Sequence, residues 1–392
     1  MMRILLLAWR YIAFHKVVTA ILLISITATL YLPFTVSILV DRLESQLLAR
    51  SETTPLIVGA KGSRFDLTLN ALYFEANAPH TIAMRESHKI AESGLATPIP
   101  MHVRFSARGF PVVGTTLEYF DFRNLSIAVG DNLGVLGDCV IGADVAEALD
   151  LKPGDRIMSD PENVFDIGGS YPLNMKVVGV LARSQSPDDN VVFVDVRTAW
   201  IIEGIGHGHQ KLTAETDSSV VLNQSDSQVV ANAALPQYTE INAKNLTSFH
   251  FHADPEDLPL TSVIALPHDK KSQTLLEGRY DGDDATAQIL RPSRIVDEMM
   301  AMVFKIKRIF DAAMVVIAVA TALFLILVLL LSFRLRQNEM LTMFKLGCSR
   351  MTIFWLQTAE VVVIVAVSAL LAGMLTLITL PWATDIIKGI VT

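Results

Sequence analysis

Residues Val17 to Val40 read VVTAILLISITATLYLPFTVSILV, a run without a charged side chain. Two more such runs follow downstream, Ala312 to Phe333 (AAMVVIAVATALFLILVLLLSF) and Val361 to Leu380 (VVVIVAVSALLAGMLTLITL). Each reaches the roughly 20 residues that a helix rising about 1.5 Å per residue needs to cross a hydrocarbon core about 30 Å thick. About 270 mostly polar residues separate the first run from the second. The pattern predicts an α+β membrane protein: three transmembrane helices, with a large extracytoplasmic mixed α/β domain inserted between the first and the second.

Basic residues beside short loops set the orientation, because Lys and Arg near a span resist translocation while long domains cross largely regardless of charge. Arg3, Arg10 and Lys16 precede the first run, and Arg334, Arg336, Lys345 and Arg350 fill the link between the second and third. Both segments are expected in the cytoplasm, and the large segment outside. Lys305, Lys307 and Arg308 oppose this bias and are partly offset by Asp297, Glu298 and Asp311. Of the 40 acidic and 32 basic residues, 37 and 24 fall between Asp41 and Asp311, so that segment carries −13 and the remainder +5. The expected divisions are an interfacial amphipathic helix at 1–16, spans at 17–40, 312–333 and 352–380, an outer domain at 41–311, a cytoplasmic link at 334–351 and a short outer tail at 381–392.

The first run exceeds the 7 to 15 residues of a signal-peptide core and reads as a retained anchor. The two cysteines, Cys139 and Cys348, are assigned to opposite sides of the membrane and cannot pair. The outer segment must therefore be stabilised by a packed core, which its length permits.

Apolar stripes continue past the spans. Leu39, Leu43, Leu47 and Leu48 extend the first, and Ile295, Met299, Met302, Ile306 and Ile309 lead into the second. Either two helices cap the domain's underside, or both run on and pack together as a stalk; the lack of Pro or Gly between stripe and span favours the stalk. The spans offer hydroxyls (Ser25, Thr27, Thr29, Thr321) and no ionisable residue near a midpoint, which argues against an ion or proton path. Glu360, about two turns into the third helix, is expected as a solvated interfacial carboxylate.

The link RLRQNEMLTMFKLGCSRMTIFWLQTAE (Arg334 to Glu360) has one apolar side (Leu341, Phe344, Leu346, Ile353) and one basic side, and Gly347 and Ser349 break and restart the helix. Such a segment either lies on lipid headgroups or docks on a partner. Its Arg336, Glu339, Leu346-Gly347-Cys348-Ser349-Arg350 and Glu360 resemble the coupling segment of MacB/FtsX-type ABC permeases. The opening AWRYIAFHKVVTAILLISITATL is similar to that family's start. CVIGADVAEALDLKPGDRIM, YPLNMKVVGVLA and DDNVVFVDVRTAW (between Cys139 and Trp200) are similar to its periplasmic core. Read for themselves, these stretches predict a short helix ended by Lys152-Pro153-Gly154-Asp155, strands through Val177–Val178 and Val191–Val194, and a helix capped by Asp195.

The resemblance implies a non-catalytic permease subunit in a bacterial inner membrane. It also implies a cytoplasmic ABC ATPase dimer that binds the ATP and Mg, and a second permease copy, identical or not. Arg334, Arg336, Glu339, Phe344, Lys345, Leu346, Gly347, Ser349 and Arg350 would form the ATPase-coupling segment. A periplasmic or outer-membrane partner and membrane lipids complete the expected partners. The family's fourth span has no counterpart after Pro381, a departure from the pattern.

No glycine is followed by lysine, so a Gly-Lys phosphate loop is absent from these residues, as are Gly-x-Ser-x-Gly and His-Glu-x-x-His. SPDDN (Ser186 to Asn190) reads as a turn rather than a carboxylate dyad. The acidic outer segment excludes a nucleic-acid surface. His207 and His209, and His250 and His252, form two His-x-His pairs that could serve zinc or copper if they meet; otherwise Gly206 and Gly208 mark a mobile loop and the second pair a solvated strand face. A metal-handling ABC component, a motorless membrane-anchored sensor and an FtsX-like division regulator remain as alternatives.

Overall fold

The computed structural model describes residues 10, 13–14, 16–75, 77, 79–161, 172–208, 221–225, 228–231, 238–251, 253–282, 286–335, 337–345, 347 and 349–391. In chain order the elements are α1 (Lys16–Thr53), β1 (Leu56–Ala60), α2 (Arg64–Tyr73), β2 (Ile82–Ala83), α3 (Arg85–Glu92), β3 (Ala96–Ala107), β4 (Phe110–Thr115), α4 (Leu117–Arg123), β5 (Ile127–Gly130), β6 (Asp138–Ile141), α5 (Ala143–Leu149), β7 (Arg156–Met158) and β8 (Asn174–Leu181). After a 3-10 turn at Pro187–Asn190 come β9 (Val192–Asp195), α6 (Val196–Ile202), β10 (Gly206–Gly208), β11 (Val221–Ser225), β12 (Gln228–Ala231), β13 (Phe249–Phe251), β14 (Pro259–Leu260), β15 (Ser262–Pro267), α7 (Lys270–Arg279) and β16 (Ala287–Leu290). Three helices close the chain: α8 (Pro292–Leu335), α9 (Gln337–Lys345) and α10 (Arg350–Val391). The chain divides into two units, Met1–Leu48 with Asp297–Ile390, and Ala49–Val296 with Val391–Thr392.

In the second unit ten strands form a mixed sheet, ordered β16-β1-β15-β3-β4-β9-β6-β8-β5, with β7 paired to β8. Among the described strands of this sheet, the β4–β9 and β6–β8 pairs are parallel and the others antiparallel. Its pivot is the long strand β3, whose first half (Ala96 to Met101) pairs with β15 and whose second half (His102 to Ala107) pairs with β4. Strand β8 shows why the local sequence folds this way: in NMKVVGVL, Met175, Val177, Gly179 and Leu181 are buried while Lys176 is exposed, the period-2 alternation of a strand with one face on a core. One core gathers Cys139, Ile141, Val177, Val194 and Ile202, and another Phe74, Val113, Tyr119, Phe120 and Phe193. Cys139 is a free, buried thiol, and burial pushes its pKa up.

Local signals hold at several points. Asp195 caps α6 by accepting from the Arg197 amide at 2.9 Å, and the strand before it forms at Val192–Asp195. Helix α5, expected to run to Lys152–Asp155, stops earlier: Asp150 adopts the left-handed conformation (φ 51°), where short polar side chains are tolerated, and ends the helix.

In the first unit, Lys16–Thr53, Pro292–Val328 and Phe354–Leu380 are helices long and apolar enough to cross a membrane. Small and hydroxylated residues line their contacts. Thr29 and Thr321 hydroxyls lie 3.2 Å apart, as do those of Thr35 and Thr376, and Thr27 donates to the Ser368 carbonyl at 3.4 Å. Small side chains allow close backbone approach, and inter-helix hydroxyl bonds add to it.

The structure refines three expectations for this unit. Helix α10 runs through Pro381 to Val391, so the expected tail is helical. Glu360 is buried, at 7 % exposure, rather than solvated. Of the stripe read before the second span, Ile295 is buried and Met299 half-buried, while Met302, Ile306 and Ile309 are 61, 64 and 68 % exposed; beside them Met300 is buried and Val303, Phe304 and Lys307 are half-buried. In a helix that is apolar on several sides, spacing of 3 and 4 residues admits adjacent stripes, and packing selects among them. The expected 1–16 helix lies largely outside the described residues.

Candidate functional site

The link between the second and third apolar helices folds as expected of a short helix and a break. Arg334 is exposed in the last turn of α8. Glu339 lies on α9, and Phe344 and Lys345 are exposed at its C-terminal end. The break is set by Gly347, with φ at +95°, a region open to glycine but strained for other residues. Its amide donates to the Phe344 carbonyl at 3.0 Å, satisfying one of the carbonyls a helix end leaves over. Ser349 is exposed and immediately precedes α10, whose first residue is Arg350. Arg336 and Leu346 lie outside the described residues.

In the second unit the histidine expectation splits. Gly206–Gly208 is strand β10, not a mobile loop, and it pairs antiparallel with Phe249–Phe251 so that His207 stands directly opposite His250. The two imidazole centres are 5.2 Å apart. His209 and His252 lie outside the described residues. Asp254, near the second pair in sequence, caps the turn Pro255–Asp257 by accepting from the Glu256 amide at 3.0 Å. Among the described residues no group of three or more His, Cys, Asp or Glu side chains is gathered around a common point.

The structure also contains a site that the sequence reading passed over. Arg50, near the C-terminal end of α1, places Nη1 2.6 Å and Nη2 3.0 Å from the two carboxylate oxygens of Asp188. Nη2 also donates to the Tyr119 hydroxyl at 2.7 Å, and that hydroxyl donates to Asp188 at 2.8 Å. Ser186 donates to the other carboxylate oxygen at 2.8 Å. All three principal side chains are buried. Burial disfavours the Arg50 charge, and the Asp188 carboxylate more than restores it. Phe74 lies under the guanidinium at 5.2 Å, and Arg123 reaches from α4 to the Thr53 and Thr54 hydroxyls at 3.2 and 2.8 Å.

SPDDN is thus a turn, as its composition predicts, but a buried one: Asp189 folds back on the amides of Ser184 and Gln185 while Asp188 faces Arg50. One sequence signal did exist. Leu43, Leu47 and Arg50 are spaced 4 and 3 apart, so Arg50 occupies the next position of the apolar stripe, and a cation there implies a buried anion.

Three span-length apolar helices, a mixed α/β domain between the first two of them in sequence and a short helix between the last two define a permease-type membrane component. The chain matches the MacB-like periplasmic core domain over residues 18–234 and belongs to the MacB/FtsX-type ABC transporter permease family. No curated protein matches it. Among solved structures it is similar to the periplasmic region of MacB from Actinobacillus actinomycetemcomitans, with 11 % identity, a TM-score of 0.34, and coverage of 64 % of this chain and 97 % of that one. It is similar also to the extracellular domain of the noncanonic ABC-type transporter YknZ from Gram-positive bacteria, at 13 % identity, a TM-score of 0.33, and coverage of 60 % and 98 %.

Proposed function

We propose that the chain is the membrane subunit of an ABC system in which a separate cytoplasmic ATPase drives a conformational change of the periplasmic domain, for export or extraction of an envelope substrate. Family membership carries the reading. Helix α9 and the Gly347 break would dock on the ATPase through Phe344, Lys345 and their neighbours. The ATP and Mg would belong to that partner, since these residues hold no Gly-Lys pair. The N-terminus and the link would be cytoplasmic and the α/β domain periplasmic, on the inner membrane of a bacterium, following the distribution of Lys and Arg.

Displacement of the first helix would enter the domain at its last turns, where Arg50 is clasped by Asp188 and Tyr119. Relayed motion of this kind requires no substrate to cross the bilayer. The exposed Met302, Ile306 and Ile309 face would be covered by a second permease copy.

Gly347→Pro tests the coupling: proline fixes φ near −65° and has no N–H, so it can adopt neither the +95° backbone nor the bond to Phe344. Co-purification with the ATPase should be lost while the α/β domain keeps its wild-type proteolysis pattern; retained association refutes the docking role. For the second copy, Ile306→Cys should give an oxidant-dependent dimer band in membranes. Only monomer there, with the cysteine shown to be reactive, speaks against the assignment.

A further inference from the structure

Strands β10 and β13 present one face to the cores and the other away from them. Phe249 and Phe251 turn inward, Phe249 against one apolar cluster and Phe251 against two. Their rings lie over the glycines opposite: a Cβ on Gly206 would come within 2.5 Å of Phe251, and one on Gly208 within 2.8 Å of Phe249. Successive residues of a strand alternate faces, so His207 and His250 share the side away from the aromatic packing. Directly opposite each other in register, the two imidazoles have centres 5.2 Å apart and planes at 67°.

We propose that His207 and His250 form a two-imidazole chelate for a divalent transition-metal ion of the Zn²⁺ or Cu²⁺ class, with water completing its coordination. A metal about 2.0–2.1 Å from two imidazole nitrogens, at a tetrahedral angle, places the ring centres roughly 5 Å apart. The observed separation of the ring centres is of that size. Nδ1 of His250 lies 3.1 Å from the Ser248 carbonyl oxygen. A carbonyl only accepts, so in that bond Nδ1 is the donor. A backbone carbonyl holding the far ring nitrogen is the usual second partner of a metal-binding histidine. His250 is exposed and His207 half-buried, so the pair is reachable from solvent. Neutral imidazole pairs suit zinc and copper rather than magnesium or calcium, which prefer oxygen. The site lies within the α/β unit and does not depend on the coupling reading.

The test uses the full chain in detergent, without a polyhistidine tag, titrated with Cu²⁺ alone and with Zn²⁺ alone. Wild type should bind one equivalent of Cu²⁺, with pulsed EPR counting two coupled imidazoles, and Zn²⁺ should raise its melting temperature. His207→Gln and His250→Gln should each weaken binding by about 10-fold or more, reduce the imidazole count to one and abolish the Zn²⁺-dependent stabilisation. No saturable binding by wild type, or wild-type affinity in both variants, overturns the proposal. A wild-type imidazole count below two overturns it independently of whether either variant folds.

Discussion

Asp188 receives both terminal nitrogens of Arg50 across 138 residues of chain, at 2.6 and 3.0 Å, in a site where both side chains are buried. Removing one member of such a pair leaves an uncompensated buried charge, which typically costs about 3–5 kcal/mol. Arg50→Ala and Asp188→Ala should each destabilise the α/β unit by that order, and the double variant should cost less than the sum of the two. Denaturant unfolding of the full chain in detergent, followed by a fluorescent probe in the α/β unit, checks this. Additive single effects would mean that the two groups are not coupled.

The same carboxylate sets an acid limb to stability. Burial opposes its charge, but the Arg50 guanidinium and the hydrogen bonds from Arg50, Ser186 and Tyr119 prevail and hold it at about 2, below the ordinary 3.8. Because the folded value is the lower one, the stabilisation is complete above about pH 4 and is lost as pH falls through about 2. Asp188→Asn should therefore be less stable than wild type at neutral pH, with the gap closing between pH 4 and pH 2. A gap that stays constant over that window contradicts the assignment.

Gly206 and Gly208 are required by the rings that cover them. Gly206→Ala would drive a methyl into Phe251, and overpacking of this kind costs about 1–3 kcal/mol. Pairing it with Phe251→Leu should recover part of the loss in melting temperature. Gly278, where a Cβ meets nothing within 4 Å, should accept alanine with little or no loss and serves as the control.

Legibility in the sequence followed the range of the interaction. The three apolar helices were readable because a bilayer imposes a length along the chain, and an uncharged run either meets it or does not. Strand β8, the Asp195 cap and the break at Gly347 were readable because period, capping chemistry and φ preference act within a few residues. The buried face of α8 was legible at its start, at Ile295 and Met299; further on, Ile306 and Lys307 are neighbours in sequence and only packing decides which turns inward.

The sequence by itself therefore determined the permease-like ground plan: three span-length apolar helices, the α/β domain between the first two of them in sequence, and the short helix and break between the last two. The tertiary structure alone decided that Arg50 meets Asp188 and Tyr119, and that His207 meets His250 while Phe249 and Phe251 cover the glycines between. Helical and strand periodicity specify a face, not what lies across from it. A buried charge or an imidazole finds its partner through the sheet order and register of the whole domain, which no local stretch encodes.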